Sequence, residues 1–148
     1  MPDQSRRNFF RAFIGQTLAW FGEAQGQRHL PLSALRLLPE EIVRRIEPVF
    51  FDDGEWQIEA GRLLAYDKAA DDYREFRRFS EAEQALVDYF QQGLTLEAIA
   101  AEIASQFTLP ADTAFRQVTE LFFELAELRV CHPAEMEAIE TYFDEQGI

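Results

Sequence analysis

Between residues 79 and 132 the apolar positions fall three times into helical spacing. Ser80 is a natural N-cap, and Glu81 and Glu83 put negative charge into the first turn, where the helix dipole favours it. Leu86, Val87, Tyr89 and Phe90 give that helix a buried side, and Gly93 ends it as a C′ glycine. Thr95 caps a second helix. Its Leu96, Ile99, Ala100, Ile103, Ala104 and Phe107 step i, i+3, i+4, i+7, i+8, i+11 along one face. Thr108-Leu109-Pro110 breaks the pattern, and Asp112 or Thr113 opens a longer third helix carrying Ala114, Phe115, Val118, Leu121, Phe122, Leu125 and Leu128. The second and third helices form a helix-turn-helix-sized unit. Val130 and Cys131 read as a strand or extended exit ended by Pro133.

Upstream the period changes. Trp56, Ile58 and Ala60 alternate with Glu55, Gln57 and Glu59, the period of a half-buried strand. Val49-Phe50-Phe51 is strand-like, Asp52-Asp53-Gly54 is a turn signal, and Gly61 turns or bulges the chain before Leu63, Leu64, Ala65 and Tyr66. Pro39 suits the first position of a helix through Ile46 that ends at Pro48, and residues 22–38 read as a linker. At 100° per residue, Phe9, Phe10, Phe13, Ile14, Leu18, Trp20 and Phe21 occupy about half of a helix circumference. That predicts an amphipathic docking helix at the N-terminus. Met136, Ile139, Tyr142 and Phe143 predict a weaker one in the tail.

Two stretches stay open on pattern alone. Residues 73–79, as a strand, put Arg74, Phe76 and Arg78 on one face and Tyr73, Glu75, Arg77 and Phe79 on the other. As a helix they group Tyr73, Phe76 and Arg77 and run on into Ser80; seven residues do not separate the two periods. On the third helix, Phe123 points about 160° away from the core stripe and shares an outer face with Arg116, Thr119, Glu120 and Glu127. A large ring on a polar face predicts a cover. A bound peptide, the N-terminal helix and the tail are the candidates.

Composition narrows the chemistry. A chain of 148 residues has the length of one domain with an added segment, enough to bury a core without staples. With 47% hydrophobic residues it is not a disordered chain, and no apolar run approaches the roughly 20 residues that span a bilayer. The formal charge of −13 repels phosphate backbones, so nucleic acid is not expected as a partner. Cys131 is the single cysteine, which excludes disulfides and multi-cysteine metal sites within one chain. His29 and His132 are not spaced to join a nucleophile and an acid, and the acidic residues give no metal-loop register. The residues therefore predict no catalytic site, no metal site and no cofactor.

Two resemblances add to this. Ser5-Arg6-Arg7-Asn8-Phe9-Phe10-Arg11 resembles the core of a twin-arginine export motif. A vestigial motif is expected, because Arg11, Gln16 and Thr17 interrupt the apolar stretch and Ala24-Gln25-Gly26 is a poor cleavage site. Localisation is expected to be cytoplasmic, with no integral membrane segment. From Val49 to His132, the strands, the helix ending at Gly93 and the Thr95-capped Leu96-Glu97-Ala98-Ile99-Ala100 resemble the PqqD-like family, also called RiPP recognition elements. The resemblance implies an α+β, winged-helix-like domain over residues 49–132, a small antiparallel sheet followed by three helices. Residues 1–48 would add the N-terminal helix and linker, and residues 133–148 a helical tail.

The resemblance also implies binding without catalysis. Such domains hold an extended precursor (leader) peptide as an added strand beside the third strand and against the third helix, and present it to a modifying enzyme. Carried over by position, the edge is Tyr73, Arg74, Glu75, Phe76, Arg77 and Arg78, with Arg116, Thr119, Glu120 and Phe123 on the helix. Arg74, Arg77 and Arg78 form a basic cluster in an acidic chain, which predicts an acidic peptide; the same arginines would equally blunt an exposed edge. The other readings are an accessory or scaffold protein for a redox or cofactor-assembly enzyme, and an acidic winged-helix DNA-binding regulator.

Overall fold

The computed structural model describes residues 31–147 and divides the chain into two compact units, Met1–Leu38 and Pro39–Ile148. The expected amphipathic helix at residues 9–21 and the twin-arginine-like stretch lie outside the described residues. Within the first unit, Leu32–Leu37 is a 3-10 helix with Leu32 and Leu35 buried, where the sequence predicts linker.

The second unit is mixed α+β. It opens with α1 (Glu40–Val43), much shorter than the expected helix through Ile46: Pro39 stands outside it as the N-cap, and at Arg44 and Arg45 the helix has already given way to a turn. Pro48 does not merely end that segment. It starts β1 (Pro48–Phe50), which pairs antiparallel with β5 (Cys131–Pro133) in the register Pro48↔Pro133, Val49↔His132, Phe50↔Cys131. The bonds from Phe51 N–H to Val130 O and from Ala134 N–H to Glu47 O continue the ladder at either end. The start and the end of the expected domain are thus fastened to each other, a pairing that short apolar runs do not announce.

A separate antiparallel meander follows: β2 (Trp56–Glu59), β3 (Arg62–Asp67) and β4 (Asp72–Arg78), in that spatial order. The strand reading is the one observed, over Asp72–Arg78 with Phe79 outside it, antiparallel to β3. The β2–β3 hairpin turns on Ala60 and Gly61, both at positive φ (52° and 76°), the conformation of a two-residue turn matched to strand twist. Ala60 occupies a position where glycine or asparagine is the low-strain choice.

Three helices follow the meander: α2 (Glu81–Phe90), α3 (Leu96–Gln106) and α4 (Ala111–Glu127). Ser80 makes a full capping box with Glu83, and Thr95 Oγ1 accepts from Ala98 N–H. The first free N–H groups of α3 are satisfied from outside, Leu96 by Ile46 O (2.8 Å) and Glu97 by Arg44 O (3.1 Å). That explains why the chain between α1 and β1 runs past the start of α3. Helix α4 begins at Ala111 rather than Asp112 or Thr113, again with proline as N-cap. The core combines Leu86, Val87 and Phe90 of α2, Leu96, Ile99 and Ile103 of α3, and Val118, Phe122 and Leu125 of α4. Phe90 and Phe122 meet edge to face at 6.1 Å. Helix α5 (Met136–Gln146) buries Ile139 and Phe143 and belongs to the same unit. No helix among the described residues is long and apolar enough to cross a membrane.

Candidate functional site

Among the described residues, β4 is an edge strand: β3 pairs with one side of it and nothing pairs with the other. Which backbone groups face outward follows from the ladder. Tyr66 N–H donates to Glu55 O (2.9 Å), so the backbone of Tyr66 points toward β2. Its β4 partner Tyr73 must then point N–H and C=O away from the sheet, and Glu75, opposite Leu64, does the same. Between Leu63↔Arg77 and Leu64↔Glu75 the register shifts, leaving Phe76 as the extra residue of a bulge. Beyond the bulge Arg78, opposite Arg62, faces outward, and Phe79 N–H turns back to Gly61 O (2.9 Å). Tyr73, Glu75 and Arg78 therefore form the open edge. Tyr73 N–H is already held by Asp72 Oδ1 at 2.8 Å.

The bulge corrects the face assignment made from strict alternation. Arg74 and Phe76 keep one face, but Arg77 joins them and Arg78 crosses to the face of Glu75. The ion pairs follow that division. Glu75 lies between Arg62 (3.6 Å) and Arg78 (3.2 Å) on one face, while Arg74 pairs with Asp67 (2.6 Å) on the other. One aromatic pair sits on each face. Trp56 and Phe76 meet edge to face at 5.3 Å, reaching past the small Ala65 between them, and Tyr66 and Tyr73 meet at 5.5 Å. Phe76 is 53% exposed.

Arg77 turns inward. Its guanidinium donates to Glu124 of α4 at 2.9 Å and to Glu83 of α2. Partial burial disfavours its charge, but the hydrogen bonds and charges of Glu124 and Glu83 outweigh burial, and its pKa is raised. Glu83 also closes the capping box through Ser80 N–H (2.9 Å), so one carboxylate joins the end of β4 to the start of α2. Arg77 is thereby a clamp between sheet and helices. The Tyr66 hydroxyl donates to Asp71 (2.6 Å), and this bond raises the phenol's pKa.

The structure brings six of the predicted site residues, Tyr73 to Arg78, onto one strand, and Arg77 places its end beside α4. Of the helix residues, Arg116 and Glu120 are exposed and Phe123 is half-buried, its ring 6.1 Å from Phe122. Glu120 and Phe123 both have partners of their own. Thr119 does not belong to the outer face: it is buried, and its Oγ1 donates to Arg116 O at 3.2 Å. Glu124, Glu83, Asp67, Asp72 and Trp56 escaped the sequence reading of the site. For Glu83 a signal existed, since Ser80 and Glu83 have capping-box spacing; Glu124 had none. Cys131 is fully buried, and burial pushes its thiol up, as suits a core residue. No group of three or more metal-ligating side chains occurs among the described residues.

Comparisons with protein-family models, with curated proteins and with solved structures find no match.

Proposed function

We propose that the chain is a non-catalytic peptide-recognition module, a winged-helix-like domain of the PqqD-like kind. It binds an extended precursor peptide by strand addition along β4 and presents it to a modifying or cofactor-assembly enzyme. The observation that carries this reading is the open edge of a meander that leads directly into three helices. An added strand would complete the outward groups of Glu75 and Arg78 and the carbonyl of Tyr73, and its alternate side chains would meet one aromatic pair on each face. Arg77, committed to Glu83 and Glu124, serves by fixing the angle of β4 against α4 rather than by touching the peptide.

Amide hydrogen exchange on the full chain, with and without an extended peptide, tests this. Binding by strand addition protects the Glu75 and Arg78 amides and leaves those of β2 unchanged. Protection confined to α4 or α5 would move the site off the sheet.

A further inference from the structure

The arginines of β4 suggest an acidic partner only while they are counted without their surroundings. Arg74 is paired with Asp67, Arg77 with Glu83 and Glu124, and Arg78 with Glu75, which also holds Arg62. Asp71 and Asp72 stand at the far end of the edge with hydrogen bonds from Tyr66 and Tyr73 but, among the described residues, no cation within 4.0 Å. Lys68, in the turn beyond them, is the one basic residue of residues 52–79 without a carboxylate within 4.0 Å among the described residues. The strand alone carries three arginines against Asp72 and Glu75, but counted with the carboxylates that hold them, Glu59, Glu83 and Glu124 included, the acids around β4 outnumber the bases seven to five, inside a chain of formal charge −13.

Two further features point the same way. Asp72 Oδ1 occupies the Tyr73 N–H, the backbone donor that an incoming strand would otherwise use. An incoming ammonium or guanidinium can share that carboxylate, whereas an incoming carboxylate is repelled by it. The exposed Phe76 ring, packed on Trp56, and the Tyr66–Tyr73 pair offer π-faces that attract cations.

We infer that the strand received by β4 is cationic: an extended peptide with apolar and Lys or Arg side chains, its basic residues set toward Asp72 and Glu75. The inference rests on the strand-addition reading and adds the chemistry of the partner. Glu75 is its specificity residue, because it pairs with both Arg62 and Arg78 and so holds them back from an incoming carboxylate.

The test titrates the full chain with matched alternating valine–lysine and valine–glutamate peptides, each also made with N-methylated backbone amides. A preference of about tenfold for the lysine peptide is expected from two exposed charge contacts. Asp72→Asn should reduce that preference. Glu75→Gln should reduce it further, because it releases Arg62 and Arg78 toward the glutamate peptide, while Glu102→Gln on the exposed face of α3 should leave it unchanged. Equal or tighter binding of the glutamate peptide overturns the cationic partner and leaves strand addition standing, provided N-methylation abolishes binding. Lysine-peptide binding that survives N-methylation, or that falls equally with Glu102→Gln, is adsorption to an acidic surface and overturns the inference. If neither peptide binds, the strand-addition reading itself fails.

Discussion

Cys131 shows how far a single residue can be read from position and then used. An isolated thiol at the end of an apolar exit predicts a core side chain, and it is fully buried on β5. Burial raises its pKa, so the folded state keeps the proton when the unfolded chain gives it up. The stability this group confers is whole below the unfolded thiol value of about 8.5 and is lost as pH rises above it. Unfolding free energies from urea titrations between about pH 7 and 10 should stay level up to about pH 8.5 and then fall in the wild type by roughly 1.4 kcal/mol per pH unit from this source, and Cys131→Ala should lack that slope. Tyr66 adds its own loss only beyond pH about 10, which keeps the two separable. Thr119 marks the opposite case. The buried arc of α4, from Leu121 round to Thr119, spans about 160°, because this helix is covered by more than one neighbour. A stripe centred on the largest side chains underestimates such an arc and leaves its margin outside.

At the scale of elements, the strands and helices were legible where punctuation and period agreed. Ser80 and Thr95 are the N-caps expected, and the period-two run at Trp56 is β2, whereas Gly93, expected at C′, follows the C-cap Gln91 by two residues as the left-handed turn residue (φ 72°). What the sequence hid was register. A bulge at Phe76 is invisible to an alternation rule, yet it decides that Arg77 turns to the helices and Arg78 does not. The consequence is energetic. Arg77, whose side chain is 26% exposed, joins three elements, whereas Arg74, in its pair with Asp67, is 70% exposed. Arg77→Ala should cost about 2–3 kcal/mol, since two carboxylates lose their partner. The coupling energy between Arg77→Ala and Glu124→Ala should be about 1–2 kcal/mol, against about 0–1 for Arg74→Ala with Asp67→Ala. Denaturant unfolding of the two double-mutant cycles measures both. Equal couplings would show that the clamp holds nothing that an exposed pair does not.

For the molecule as a whole, the α+β character followed from the order of periods along the chain, but the way its ends meet did not. Strand β1 carries only Val49 and Phe50 after its proline, too short a run to name a partner some eighty residues away in sequence. The same pairing has a mechanical meaning. Glu47 enters and Ala134 leaves side by side, joined by a 2.8 Å bond, so tension applied between those two points pulls on one end of the β1–β5 ladder. The bonds are then loaded one after another, like a zip, rather than together in shear. In an optical-tweezers experiment, pulling through cysteines placed at 47 and 134 in a Cys131→Ala background should open this clasp at low force, before the helical core yields. A pull from the far end of the meander should meet the core first. A partner enzyme that drew on these flanks while a peptide lay on β4 would be tugging at the latch, with the cargo edge left intact.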